Sequence, residues 1–309
     1  MDLSHCDVCP RRCGVDRTRG ERGYCGASAQ VRIALVSLHQ WEEPCLTGDR
    51  GAGTVFFSHC NMKCLFCQNY DVSHSGKGVD VSVGRLAEIF LEQQCRGAAS
   101  LDLVTPTHYT PQIVQALTIA RGEGFLLPVV YNCGGYELPE TLESLRGLVD
   151  IFLPDLKYYD PDLARCCSGA ADYFQYASAA LEKMYELVGP FVMDGDRMVS
   201  GVIVRHLILP GHYRDSLKLL DYLKDAFGDG IYLSLMNQYT PMPQTAGCAY
   251  KWLNRRLTTY EYEKVLDHAE KLGLTNCFIQ KGTTALAKFI PRFDGSNVLH
   301  ADDLRSETL

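Results

Sequence analysis

Residues 53–67 read Gly53-Thr-Val-Phe-Phe-Ser-His-Cys60-Asn-Met-Lys-Cys64-Leu-Phe-Cys67, an apolar, strand-like run that ends in three cysteines. The C-x3-C-x2-C spacing puts three thiols on one tight loop. Three thiolates can hold three corners of a cubane iron–sulfur cluster and leave its fourth iron without a protein ligand. An electron-transfer cluster normally closes that corner with a fourth cysteine, and a structural zinc site normally has four protein ligands. An open corner is a place for chemistry. The competing reading, incidental thiols or a zinc knuckle, does not account for the agreement of the spacing with the aromatic Phe66 and the preceding strand.

Working outward, strand-like apolar runs alternate with helix-period segments. Leu101-Asp-Leu-Val-Thr105, Leu127-Pro-Val-Val-Tyr131, Asp150-Ile-Phe-Leu-Pro-Asp155, Gly201-Val-Ile-Val-Arg-His-Leu-Ile208 and Ile231-Tyr-Leu-Ser-Leu-Met236 read as strands. Helices are expected over 111–120, 138–145, 172–187, 214–226 and 259–272. With the run at Val55 this gives six strands, each followed by a helix. Such an α/β alternation builds a parallel sheet with right-handed crossovers, a TIM-like barrel when closed or nearly closed. No solenoid-type repeat interrupts it. Barrel sites sit at the C-terminal ends of strands, and polar residues fall there: Cys60, then Thr107 and His108, Asn132, Asp155 and Lys157, Arg205 and His206, Asn237 and Gln238. A polar residue at every strand end reads as a ring facing one cavity.

The chain has 309 residues, 46% hydrophobic and 22% charged, enough for one large α/β domain with appendages or for two small ones. Its formal net charge of −7 argues against a general nucleic-acid binder, although a local basic patch is compatible with it. Met1-Asp-Leu-Ser-His-Cys6 lacks the apolar core of a signal peptide, and no run approaches the ~20 apolar residues of a membrane span. A cytoplasmic protein with no membrane partner is expected. Fourteen cysteines in that compartment are not expected to form disulfides. Seven fall in two dense groups before residue 68. Cys45, Cys95, Cys166, Cys167, Cys248 and Cys277 read as small buried hydrophobes, and Cys133 stands apart because it lies in an expected site loop.

The first group is Cys6-x2-Cys9-Pro-Arg-Arg-Cys13 and Cys25, with Gly20, Gly23 and Gly26 interleaved. Four thiolates complete a tetrahedral set, and glycines let a short backbone turn around a metal. A zinc clip and a second iron–sulfur cluster both fit. The bland alternative is a loosely ordered, oxidisable tail.

Between and beyond these groups lie Glu42-Glu-Pro44, Gly51-Ala-Gly53, Val104-Thr-Pro-Thr-His-Tyr109, Asp155-Leu-Lys157 and Phe293-Asp-Gly-Ser-Asn-Val298. With both cysteine sets, they make nearly the whole chain resemble the radical S-adenosylmethionine (SAM) superfamily. Within it the closest likeness is to the subgroup of pyruvate formate-lyase activating enzyme and its PflX-type relatives. The resemblance implies an open (β/α)6 radical SAM barrel over 51–285, a cysteine-rich metal-binding extension over 1–50 and a C-terminal extension over 286–309. It implies a [4Fe–4S] cluster on Cys60, Cys64 and Cys67 whose open iron is chelated by SAM. Reductive cleavage to a 5′-deoxyadenosyl radical and hydrogen abstraction from a substrate would follow, with a flavodoxin or ferredoxin as reducing partner. The substrate would be a glycine of a glycyl radical enzyme, or alternatively another protein, peptide or small metabolite. A metal-bound scaffold is the non-enzyme alternative, at odds with the acidic balance and the full barrel.

Residue by residue, the resemblance implies that the backbone around Phe66 meets the adenine. The family's Gly-Gly-Glu segment is replaced here by Thr105-Pro-Thr-His108, so Thr107, His108 or a carbonyl would take over its contact with the methionine amino group. Asp155 and Lys157 would lie near the SAM carboxylate, where a monovalent cation can also sit. Arg205 matches a SAM-contacting arginine, as suits a fork-shaped cation, and Asn132 joins these cofactor-binding candidates. No side chain is assigned a direct part in hydrogen transfer. Structural alternatives stand beside each: core histidines at His108 and His206, a plain ion pair for Asp155 with Lys157, a barrel carboxylate for Arg205. His39 and Glu42 are open to a supporting or an exposed role, and Tyr158, Tyr159 and Trp252 read as packing.

Overall fold

A computed structural model describes residues 1–280 and 291–300. The expected boundary between barrel and C-terminal extension at 285/286 lies outside the described residues. The strands are β1 (Val31–His39), β2 (Ala52–Phe57), β3 (Val79–Val81), β4 (Leu101–Val104) and β5 (Val129–Cys133), then β6 (Ile151–Pro154), β7 (Val192–Asp194), β8 (Arg197–Leu207), β9 (Tyr232–Met236) and β10 (Cys277–Ile279). The helices are α1 (Pro44–Thr47), α2 (Tyr70–Ser73), α3 (Val83–Cys95), α4 (Thr110–Gly122) and α5 (Pro139–Glu143), then α6 (Pro161–Ser168), α7 (Tyr173–Val188), α8 (Tyr213–Phe227) and α9 (Thr259–Lys271).

The sheet runs β10-β9-β8-β6-β5-β4-β2-β1-β3, with β7 paired to β8 as a hairpin. From β2 to β10 every neighbouring pair on this path is parallel. All six expected strands are therefore present in their expected order, and β10 adds a seventh. β1 pairs antiparallel with β2, and β3 antiparallel with β1. The sheet does not close: β3 and β10 are its two ends. This is an open TIM-like α/β barrel, as expected.

Side-chain alternation explains the two faces. Val129, Tyr131, Phe152, Val202 and Val204 pack outward with helix residues such as Leu117, Leu181 and Leu220. Their neighbours Val130, Ile151, Leu153 and Ile203 face inward and meet Cys45 and Leu46 of α1. The short α1 thus plugs the barrel interior, and the Glu42-Glu43 pair just before it is carried inside.

The N-terminal segment is fastened along the flank of β4–α4 and β5–α5. Thr141 donates its hydroxyl to Val8 O at 2.8 Å, Gln112 donates to Ala29 O at 2.5 Å, and Arg17 donates to His108 O at 2.7 Å. No helix among the described residues is long and apolar enough to cross a membrane.

Candidate functional site

The cysteine loop leaves β2 through two non-glycine residues with left-handed backbone, His59 at φ 76° and Lys63 at φ 48°. Such residues are uncommon outside turns and sites under constraint. They fold the loop back over the C-terminal end of the barrel. Each of its three sulfurs accepts a hydrogen bond: Cys60 from the Met62 N–H at 3.3 Å, Cys64 from the Ser168 hydroxyl at 3.1 Å, Cys67 from the Ser73 hydroxyl at 3.3 Å. Burial pushes the Cys60 thiol up to about 12, and the neighbouring Cys64 adds to it. Cys67 is raised by the same two causes in the same order. Both shifts oppose ionisation of Cys60 and Cys67 unless a cationic centre binds them.

Above the loop lies a pocket of about 450 Å³, lined by Cys64, Phe66, Cys67, Asn132, Asp155, Lys157 and Arg205, with Glu42, Met236 and Gln238 among its other walls. Its volume is that of an ordinary small-molecule site. Asp155 is the hub. It accepts from Lys157 Nζ at 2.5 Å and from Arg205 Nε at 3.0 Å. Arg205 also donates to Asn132 Oδ1 at 2.5 Å and lies 3.4 Å from Glu42 Oε2. Burial would raise the Asp155 carboxyl, but Lys157 and Arg205 outweigh it and hold the group below its usual range. Burial pushes Glu42, Glu43 and Asp102 the other way, toward their protonated forms. Lys157 and Arg205 thus converge on the Asp155 carboxylate at the pocket floor, and their cationic donors suit an anionic ligand group.

Phe66 packs against Tyr158 and Tyr239 with ring centroids 6.5 and 5.9 Å away. Its backbone is thereby held at the pocket wall. His108 is not in this pocket. Thr105, at φ 61°, turns the chain, and a 3-10 turn over Thr107–Tyr109 carries the imidazole into the interior, where Nε2 meets Ser58 O at 2.8 Å. Burial lowers its pKa to about 3, so the ring is neutral. His206 points away from Arg205 by strand alternation and is satisfied by Leu156 O and Ser216 Oγ. Cys133 is buried and does not line the pocket. Glu42, left open by the sequence, does line it, and so does His39. The serine donors Ser73 and Ser168 carried no sequence signal.

The four N-terminal cysteines line a second, narrow cavity together with Arg17 and His108. Among the described residues no three or more His, Cys, Asp or Glu side chains gather closely enough to hold a single metal ion.

Residues 54–199 match the family model of the Radical SAM superfamily. Over that stretch, just under half of the chain, this protein is similar to radical SAM proteins. Over 282 residues this chain is 29% identical to an uncharacterized protein, MJ0674, of Methanocaldococcus jannaschii, covering 88% of this chain and 76% of that one. A second uncharacterized protein of that organism, MJ0808, is 24% identical over 244 residues, covering 72% and 67% of the two chains. The crystal structure of Streptococcus suis SuiB bound to S-adenosylmethionine superposes with a TM-score of 0.50 at 13% identity, over 73% of this chain. The chain spans about half of SuiB, 49% of its length, and that likeness concerns the fold.

The superfamily implies a [4Fe–4S] cluster and SAM, and the residues present fit both. Three thiols share one loop, each sulfur has a hydrogen-bond donor, Cys64 and Cys67 line the pocket, and among the described residues no cysteine from outside that loop joins them there. Donors to the sulfurs of a cluster are among the features that set its potential.

Proposed function

We propose that this chain is a radical SAM enzyme working in the cytoplasm, with Cys60, Cys64 and Cys67 holding the cluster. When bound, the cluster and SAM supply a one-electron cleavage that gives methionine and a 5′-deoxyadenosyl radical, which takes a hydrogen atom from the substrate. The protein's own residues bind and orient. Arg205 and Lys157, fixed by Asp155, offer cationic donors to the methionine carboxylate. Glu42 offers an acceptor for the amino group, a contact left unassigned by the absence of a Gly-Gly-Glu segment. Phe66 presents backbone to the adenine. His108, buried behind the loop, supports it through Ser58 O. Residues 51–285 would form the catalytic core, 1–50 a second metal-binding extension and 286–309 a C-terminal extension.

A single observation carries this reading. Cys64, Phe66 and Cys67 of the three-thiol loop line the same pocket as Asp155 and Arg205, so a cluster and the polar end of SAM can be held side by side. We further assign the hydrogen abstraction to a glycine of a partner protein, on the resemblance to activating enzymes. A pocket open at the exposed Trp41, 67% accessible, leaves room for a loop to enter. The test is isotopic. With SAM and a low-potential reductant, a candidate glycyl radical enzyme deuterated at its glycine Cα should pass deuterium into 5′-deoxyadenosine. Transfer from a peptide or small metabolite instead, with none from the glycine, would favour the alternative substrate class.

A further inference from the structure

The N-terminal cavity contains a charge imbalance. Arg17 is only 1% exposed. Its guanidinium donates to Ser28 O through Nε at 3.1 Å and Nη2 at 2.5 Å, and to His108 O through Nη1 at 2.7 Å. Its other contacts are Cys6 Sγ at 3.9 Å and the face of the Tyr109 ring, whose centroid lies 5.7 Å from Cζ. Among the described residues no carboxylate lies within ion-pair distance of it. A buried cation needs a counter-charge, and the only groups on this cavity able to supply one are its four thiols. Four thiolates around divalent or mixed-valence iron, or around zinc, leave a dianion facing Arg17.

Three of the four sulfurs accept hydrogen bonds. Cys6 receives Arg17, Cys13 the Tyr24 N–H at 3.3 Å, and Cys25 the Ala27 N–H at 3.4 Å. Gly23 is required by contact, since a Cβ there would lie 2.7 Å from Cys13 Sγ. This is a built site rather than a loose tail.

Its position distinguishes the metals. Two short bridges join it to the cysteine loop. Arg11, between Cys9 and Cys13, donates to Asn61 O at 3.0 Å and to Ser168 O at 2.9 Å, and Ser168 in turn donates to Cys64. Gly26, next to Cys25, packs on the ring of His59, next to Cys60, close enough that a Cβ would sit 3.2 Å from Nδ1. The two cysteine sets are thus one residue from mutual contact at one bridge and one side chain apart at the other. The cavity of the N-terminal set shares no lining residue with the SAM pocket. Zinc draws its ligands to one point and carries no electron, so a structural clip has no need of this approach. A redox centre does.

Resting on the radical SAM reading above, we propose that Cys6, Cys9, Cys13 and Cys25 hold a redox-active iron–sulfur cluster that delivers electrons to the cluster on Cys60, Cys64 and Cys67. The step moves one electron and no atoms. A one-electron donor of the flavodoxin or ferredoxin class reduces the N-terminal cluster. That cluster is reoxidised as it reduces its neighbour, and the electron leaves in the cleavage of SAM.

Three measurements on the full chain test this. The variant with Cys60, Cys64 and Cys67 all replaced by alanine, reconstituted without oxygen, should keep an iron–sulfur cluster with a reducible electron paramagnetic resonance signal. Stoichiometric zinc, or no metal, overturns the proposal. In the unaltered protein, reduced fully and then freed of reductant, SAM should discharge both clusters and yield two equivalents of 5′-deoxyadenosine per chain. One equivalent with the N-terminal signal intact overturns the relay. Cys13→Ser should lower flavodoxin-driven SAM cleavage at least tenfold and dithionite-driven cleavage much less. Equal rates with flavodoxin also overturn it. Failure of the radical SAM reading is distinct: the unaltered protein would then give no 5′-deoxyadenosine with any reductant.

Discussion

Ser168 donates its hydroxyl to Cys64 Sγ at 3.1 Å while its carbonyl accepts from Arg11 at 2.9 Å. One residue at the end of α6 therefore touches both cysteine loops. A hydrogen bond to a cluster sulfur withdraws charge and favours the reduced state. Ser168→Ala should keep the cluster on Cys60, Cys64 and Cys67 but make its reduction potential more negative, with slower SAM cleavage. Redox titration followed by electron paramagnetic resonance checks this; an unchanged or raised potential contradicts it.

Arg205 is fixed by Asp155, Asn132 and Glu42 before any ligand arrives. Arg205→Ala should weaken SAM binding by about 1.5–3 kcal/mol, roughly ten- to a hundredfold in Kd. Asp155→Ala should weaken it too and, by leaving Lys157 and Arg205 buried together, destabilise the fold by about 3–5 kcal/mol. Iron content should stay unchanged in both. Calorimetric titration with SAM and thermal unfolding read the two effects separately, and wild-type affinity in both variants would cancel the assigned roles.

Glu137 is fully buried and hydrogen-bonded to Thr107 at 2.5 Å. Burial lifts its carboxyl from an ordinary 4.5 to about 8. The folded state then binds a proton that the unfolded state has lost, so this contribution to stability is complete below about 4.5 and declines as pH rises toward about 8. Glu137→Gln keeps the shape without the titration. Its unfolding temperature should fall less than the wild type's between pH 5 and pH 8, on the order of the window named by that shift. Parallel curves would contradict the assignment.

Gly23→Ala places a Cβ against Cys13 Sγ at 2.7 Å. The variant should lose metal from the N-terminal set while the loop at Cys60 keeps its iron. Metal analysis in the Cys60, Cys64, Cys67 triple-alanine background isolates that site. Full metal content there would show that Cys13 is not held as described.

Much of the fold was legible because parallel α/β units are written locally: β2, β4, β5, β6, β8 and β9 each show an apolar run with a helix behind it. The strand-end rule then gathered Asn132, Asp155, Lys157 and Arg205 around one pocket. It failed at His108 because a single left-handed residue, Thr105, turns the chain inward. β10 was too short to signal itself. β1 is an apolar run of its own, but it falls in the stretch assigned to the cysteine-rich extension and pairs antiparallel with β2, outside the strand–helix alternation. Glu42 reaches the pocket only because Cys45 and Leu46 plug the barrel, a tertiary fact. Arg11 and Arg17 sat in plain view between cysteines, yet their carbonyl and sulfur partners are fixed only by the folded chain.

The most direct test of the central claim is 5′-deoxyadenosine production by the anaerobically reconstituted protein with SAM and dithionite. The unaltered chain should form it, and the variant with Cys60, Cys64 and Cys67 replaced by alanine should form none while remaining folded. Undiminished 5′-deoxyadenosine from the triple variant, or none from unaltered protein carrying its full iron, would contradict the account.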